Sequence, residues 1–553
     1  MKLRGRRANL IALALALVLT WLVVYPLVLV ALEAVREPEG WTLRWVRAFL
    51  QRRNEWSALW GSIWISVASV VLSGAIGIPL AILFARREFP GRRVLGTLVA
   101  LPATLPPLVG VLAFLFLWGE TGFAAHLVQR LSGTTDPPWR LQGAGAILLV
   151  HGYAMYVYFY LFTRAALRSI DASVWEAAQS LGAGRLRTWR RVILPLLAPA
   201  LASAALLVFL TSLASFSAPY LFGGGIRVMT TQIVSTRLNG DDALAMVETV
   251  ALTLVALVAL LIVRRVDRRA VAVGGSKGAA PAPVTSGSRG GRVLVSMFAW
   301  LLALFLLLPH STLLLVSFVP VGTWTTEPVP PVYTVQNYLT LVTDPVRLRP
   351  LLSSLWMAVV ATSGALAIAV LAGWLIVRSR ARASGALEWL LTLPWAVPGT
   401  VFAIALATAF SVFSPQTFRI ILIGTPLILP LAYLIRDLPL AGRAVLAGFR
   451  RLSPDFEEAA ASLGASRWRT MTRVVLPLLR PALVAGATLA FVTAFGDFVT
   501  SIVLYTYDTR PISLEILGSL RQSDVGVAAA YGVILTAISA VVFLASAERE
   551  QAK

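Results

Sequence analysis

The chain has 553 residues, 58% of them apolar and only 13% charged, about half the charged share of a typical soluble domain. A soluble fold has too little interior for so much apolar surface, and the absence of cysteine removes disulfide scaffolds, thiolate chemistry and Cys-ligated metal centres. The net charge of +22 would suggest nucleic acid in a soluble chain. Here the basic residues fall in the gaps between apolar runs rather than along one stripe, so membrane topology accounts for them and no nucleic-acid partner is expected.

A hydrocarbon core about 30 Å thick needs roughly 20 apolar helical residues. Twelve such runs follow in chain order, near 9–32, 57–84, 94–118, 143–163, 195–216, 243–263, 293–318, 351–377, 387–412, 419–435, 477–504 and 525–546. The fold class expected is therefore all-α, a polytopic membrane protein. If Met1 lies inside, the inner segments hold more than two-thirds of the 48 Lys and Arg residues, and the positive-inside rule then places both termini in the cytoplasm. The apolar run after Arg7 is longer than a signal-peptide core and lacks a small-residue cleavage site, so it reads as a retained anchor helix.

The two halves repeat. Glu176-Ala-Ala-Gln-Ser-Leu-Gly182 recurs as Glu458-Ala-Ala-Ala-Ser-Leu-Gly464, and Arg86, Pro102 and Pro106 recur as Arg378, Pro394 and Pro398. Six spans per half make the repeats parallel, related by an axis along the membrane normal. The expected organisation is a first transmembrane domain over 1–264, a flexible Gly/Ser/Ala-rich linker over 265–291, and a second transmembrane domain over 292–553.

Between the fourth and fifth spans of each half lies a polar segment in which Asp171-Ala-Ser-Val-Trp-Glu and Ser453-Pro-Asp-Phe-Glu-Glu read as helix starts, stopped at Gly182 and Gly464. From residue types alone this is an interfacial helix pair, equally able to seat the bundle at anionic lipid or to meet a partner. The pattern Glu-Ala-Ala, three residues, Gly, nine residues, an aliphatic and then Leu-Pro resembles the EAA loop of binding-protein-dependent ABC importer permeases. It stands here as Glu176-Ala177-Ala178, Gly182, Val192 and Leu194-Pro195, and as Glu458-Ala459-Ala460, Gly464, Val474 and Leu476-Pro477, with valine where isoleucine is usual. Arg86-Arg-Glu-Phe-Pro-Gly-Arg-Arg93 is similar to the matching segment of the iron(III) and thiamine permease branch.

The resemblance implies a type I importer permease with both domains in one polypeptide. Glu176, Ala177, Ala178 and Gly182, and their counterparts Glu458, Ala459, Ala460 and Gly464, would each dock one copy of a cytoplasmic ATP-binding subunit. An extracytoplasmic solute-binding protein would deliver the solute, iron(III) first and thiamine or a polyamine after it. The chain itself has no phosphate loop, since none of its three lysines follows a glycine. No catalytic site, cofactor or metal site is expected, and the three histidines show no ligand spacing.

Ionisable residues inside a span are costly and so are candidates for function. Asp497 and its repeat equivalent Ser215 are the candidate residues of the translocation path, with a hydrated span end as the other reading of Asp497. His151 and His310 read as buried hydrogen-bonding groups. The run Tyr153-Ala-Met-Tyr-Val-Tyr-Phe-Tyr160 reads as packing or as path lining. The rival from another class is a twelve-span secondary transporter driven by an ion gradient, which the same parallel architecture allows.

Overall fold

The computed structural model describes residues 2–38, 40–270, 284–285, 289–324, 328–379, 381–411, 415–417 and 419–551; most of the expected linker lies outside them. Among the described residues the strands are only two-residue pairs and the rest of the regular structure is helical. Nine helices among the described residues are long and apolar enough to cross a bilayer, and counting each of two bent pairs as one span brings this to eleven.

The spans pack through small residues. Helix Arg53–Arg86 buries Ala58, Gly61, Ser62, Ser66, Ser69, Ser73, Gly74, Gly77 and Ala81 along one face, and the hydroxyls of Ser66 and Ser69 fold back onto the carbonyls of Ser62 and Ile65, both at 2.7 Å. In hydrocarbon such a stripe of small residues lets two backbones approach closely. Helix Gly143–Ser169 occupies the stripe. A side chain at Gly77 would collide with the Tyr156 carbonyl and the Phe159 side chain.

The third span of each half is broken at its prolines, which lack an N–H and clash with the preceding turn. In the second half Ser384–Ala396 and Gly399–Ala409 meet at 110°, with Pro394 and Pro398 at the break. In the first half a short turn Leu101–Thr104 separates Arg92–Leu98 from Pro107–Trp118. The tyrosines serve this break: the hydroxyl of Tyr156 donates to the Val99 carbonyl at 2.5 Å and that of Tyr160 to the Gly96 carbonyl at 3.2 Å. They are buried, and their work is to satisfy backbone that the break exposes.

The tenth expected span departs from the sequence expectation in its bounds. The run 419–435 ends, by hydropathy, at the charges Arg436 and Asp437, yet residues 419–427 form turns and the helix is Ile428–Arg451. Hydropathy treats a charge as the end of a run; here Arg436 is neutralised by Asp497 within the fold, so the helix continues through it.

The residues group into two compact units, one of 1–51, 233–250 and 334–553, the other of 52–232 and 251–333. In the first unit the N-terminal span, Lys2–Leu19 continued by Tyr25–Glu33, lies on Ser384–Thr392 and Gly399–Ala409. There the Trp21 indole donates to the Gln416 carbonyl at 2.9 Å, and the Arg382 N–H donates to the Asn9 side-chain carbonyl at 3.0 Å. In the second unit helix Arg289–Val316 lies on Arg92–Leu98 and Pro107–Trp118, where the Tyr153 hydroxyl donates to the Leu306 carbonyl at 2.8 Å. Each unit thus contains the first span of the opposite sequence half.

Candidate functional site

The two polar segments fold alike. In the first, helix Ala172–Ser180 is started by Asp171, whose carboxylate accepts from the Ser173 N–H at 3.0 Å. In the second, helix Asp455–Ser462 begins where the Ser453 hydroxyl accepts from the Asp455 N–H at 3.3 Å. Both end in the same way. Gly182 and Gly464 adopt φ of 75° and 76°; the N–H of Ala183 donates to the Ala178 carbonyl and that of Ala465 to the Ala460 carbonyl, both at 3.0 Å. Nothing lies within 4 Å of where a side chain would stand at either glycine. Conformation therefore selects glycine here, not lack of room.

The residues picked out by the repeated motif occupy matching faces. Glu176 and Ala177 are exposed and Ala178 is buried; Glu458 and Ala459 are exposed and Ala460 is buried. The sequence reading passed over the leucine before each glycine. Leu181 is 87% and Leu463 89% exposed, and beyond the glycines Leu186 and Trp468 also stand in the open. Single exposed apolar residues are ordinary; here the same one is bared at the equivalent helix end in both halves. The signal was present in the shared Ser-Leu-Gly of both copies.

After the glycine come short helices, Arg185–Thr188 and Arg467–Thr470, and then a widened turn, Trp189–Ile193 and Met471–Val475, that leads into the fifth span. Such widened turns recur at functional positions in helices.

Asp497 and Ser215 sit in corresponding polar clusters of different chemistry. Asp497 is 8% exposed. One of its oxygens accepts from the N–H of Thr500 at 2.9 Å and of Ser501 at 3.0 Å, capping the short helix Ser501–Leu504, and the other pairs with Arg436. The Ser501 hydroxyl also meets that of Tyr433 at 2.6 Å. In the first half His151 stands where the repeat has Tyr433. Its Nε2 is 2.9 Å from the Ser215 hydroxyl and its Nδ1 is 2.9 Å from that of Ser69. One cluster is ionic, the other neutral. Sequence reasoning missed Arg436 and Asp437; the charged pair adjoining an apolar run was the available signal. Asp437 is 1% exposed, and neither of its oxygens has a hydrogen-bond partner among the described residues.

Two copies of one motif, in two similar folds on two repeated sets of spans, define what the chain should match. The family model described as "Binding-protein-dependent transport system inner membrane component" matches it twice, over residues 77–271 and 365–547. The chain belongs to this family. Among its relatives, a probable ABC transporter permease protein of Sinorhizobium fredii is 29% identical over 90% of this chain and 87% of its own length. A ferric transport system permease protein of Actinobacillus pleuropneumoniae is 28% identical over 96% of this chain and 77% of its own. A thiamine transport system permease protein of Brucella abortus is 32% identical over 38% of this chain and 40% of its own. The protein is an ABC importer permease, a multi-pass membrane protein, and family membership gives it a solute-binding protein as partner.

Proposed function

We propose that this permease forms, in one polypeptide, the whole translocation path for a small solute, with permease domains over 1–264 and 292–553 joined by 265–291 and both termini in the cytoplasm. Each coupling segment docks one copy of a separate ATP-binding subunit, the source of energy for a chain without a phosphate loop of its own. Glu176 and Glu458 offer an ion pair to a basic partner, the exposed Ala177 and Ala459 allow close approach, and Leu181 and Leu463 supply the apolar contact. Closure of the two ATP-binding subunits draws the segments together and rocks the path from inward-open to outward-open, where the binding protein releases its ligand. Asp497 and Ser215 belong to the walls of that path, tied into the fold rather than free to hold solute.

The observation that carries the docking reading is the bare leucine-glycine end repeated on both helices, with exposures of 87% and 89%. For the solute, iron(III) is proposed first and thiamine second, a polyamine following. The ferric permease relative aligns along 96% of this chain and the thiamine relative along 38%. Purified binding protein, titrated with iron(III) chelate and with thiamine in parallel, tests the order; binding of thiamine alone reverses it. Alanine at both Glu176 and Glu458 should lower recovery of the ATP-binding subunit with the permease, and unchanged recovery removes their assigned role.

A further inference from the structure

The inner ends of the second spans hold a pair of arginines that the docking reading leaves unused. Arg86 closes helix Arg53–Arg86 and Arg378 closes the widened turn that continues helix Pro345–Gly373; the two are equivalent in the repeat. Arg86 sits over the indole of Trp175, its guanidinium carbon 3.8 Å from the ring centroid. Arg378 donates from Nε to the Glu457 carboxylate at 2.6 Å and from a terminal nitrogen to the Leu452 carbonyl at 2.7 Å. Glu457 is the repeat counterpart of Trp175. The same arginine therefore grips the same position of the same helix in both halves, once through a π face and once through an ion pair.

Both grips are built to hold. Trp175 is buried and meets the Trp189 ring edge-on at 5.4 Å, in a cluster with Leu167, Ile170, Ile193 and Leu197. The turn after Arg86 is fixed as well. Arg92 donates from Nε to the Phe84 carbonyl at 2.9 Å, so it closes the end of the span, where a cation suits the helix dipole. Phe89 packs edge-on against Phe84 at 5.3 Å, and Gly91 turns the chain at φ 80°. The Arg378 and Glu457 side chains are mostly buried, so solvent screens their pairing less than it screens a surface pair.

The bare leucines are at the far end of each coupling helix from the gripped residue. A load applied at Leu181 or Leu463 thus reaches a second span through one side chain. We propose that Arg86 and Arg378 are positioning residues that transmit movement of the coupling helices to the second spans. This rests on the docking reading given above.

The chain has no cysteine, so introduced thiols are unique labelling sites. Spin labels at Trp56→Cys and Leu352→Cys, both on exposed positions near the starts of the second spans, report span movement in the permease assembled with its ATP-binding subunits. The expected result is an ATP-dependent change of distance in the otherwise unsubstituted chain. Arg86→Ala combined with Arg378→Ala should shrink the moving population about fivefold while two ATP-binding subunits still co-purify. To separate transmission from folding, Arg378→Glu is compared with Arg378→Glu plus Glu457→Arg, the second of which should restore movement on its side. Full movement in the double alanine variant, or no restoration by the exchanged pair, overturns the inference alone. If the unsubstituted chain retains no ATP-binding subunit, the docking reading fails and the inference with it.

Discussion

The two coupling segments and the two buried polar clusters come from the same duplication and have fared oppositely. The coupling segments agree residue by residue in caps, in the left-handed glycine and in which alanine is covered. The clusters share a place but no chemistry: His151, Ser69 and Ser215 in one half stand against Tyr433, Arg436 and Asp497 in the other. Under the docking proposed above, a surface that must fit two copies of one partner is held to one shape. An interior that need only satisfy itself is free to do so with neutral hydrogen bonds or with an ion pair, and the two cost differently when broken.

That contrast can be broken most severely at Asp497. Asp497→Ala removes the charge partner of Arg436, whose side chain is a quarter exposed and keeps its bond to the Thr500 hydroxyl at 2.7 Å, and takes the acceptor from the Thr500 and Ser501 N–H groups. The cost should be about 3 kcal/mol, the lower end for breaking a buried pair, so folded permease in the membrane should fall, and size-exclusion recovery after mild extraction reads it. Replacing Arg436 by Met together with Asp497 by Leu should recover part of that loss, because both members of the pair are then removed together. A single Asp497→Ala chain that extracts and behaves normally would show that the pair matters little.

On the coupling side, Leu181→Asp and Leu463→Asp should leave folding unchanged, since both side chains are exposed, while weakening hold on the ATP-binding subunit by about 2 kcal/mol each if they are anchors of the interface. Recovery of the subunit at graded detergent wash measures this, and equal effects at the two positions are expected from their equal exposure. Gly182→Ala and Gly464→Ala probe the conformation instead. Forcing a β-carbon into the left-handed region costs about 1–2 kcal/mol, expected as local fraying of the helix ends by hydrogen exchange with little change in extraction. The smallest effect belongs to the neutral cluster, where Ser215→Ala removes one hydrogen bond and should cost about 1 kcal/mol in thermal unfolding of the extracted protein.

Sequence carried the coupling segments because their determinants are local: a capping side chain and a glycine at a fixed spacing are both read along the chain. The breaks of the third spans were equally local, written in Pro102, Pro106, Pro394 and Pro398. What escaped was set by neighbours distant in sequence. Hydropathy could not tell that Arg436 is matched by Asp497, so it ended the span too early, short of the helix Ile428–Arg451. It could not tell which bundle the first spans join, because one apolar helix looks much like another; hydrogen bonds such as Trp21 to Gln416 and Tyr153 to Leu306 decide that. Nor did it show that Trp175 and Glu457, unlike in chemistry, do the same job for two equivalent arginines.

The central claim is that two equal surfaces on one chain hold two equal partners. Native mass spectrometry of the gently extracted permease tests it most directly, by mass alone and without knowledge of the solute. Two ATP-binding subunits per chain, falling to one when Leu181→Asp or Leu463→Asp is introduced singly, is the predicted result. A chain that carries no such subunit, yet moves solute across liposomes under an ion gradient without ATP, would contradict it.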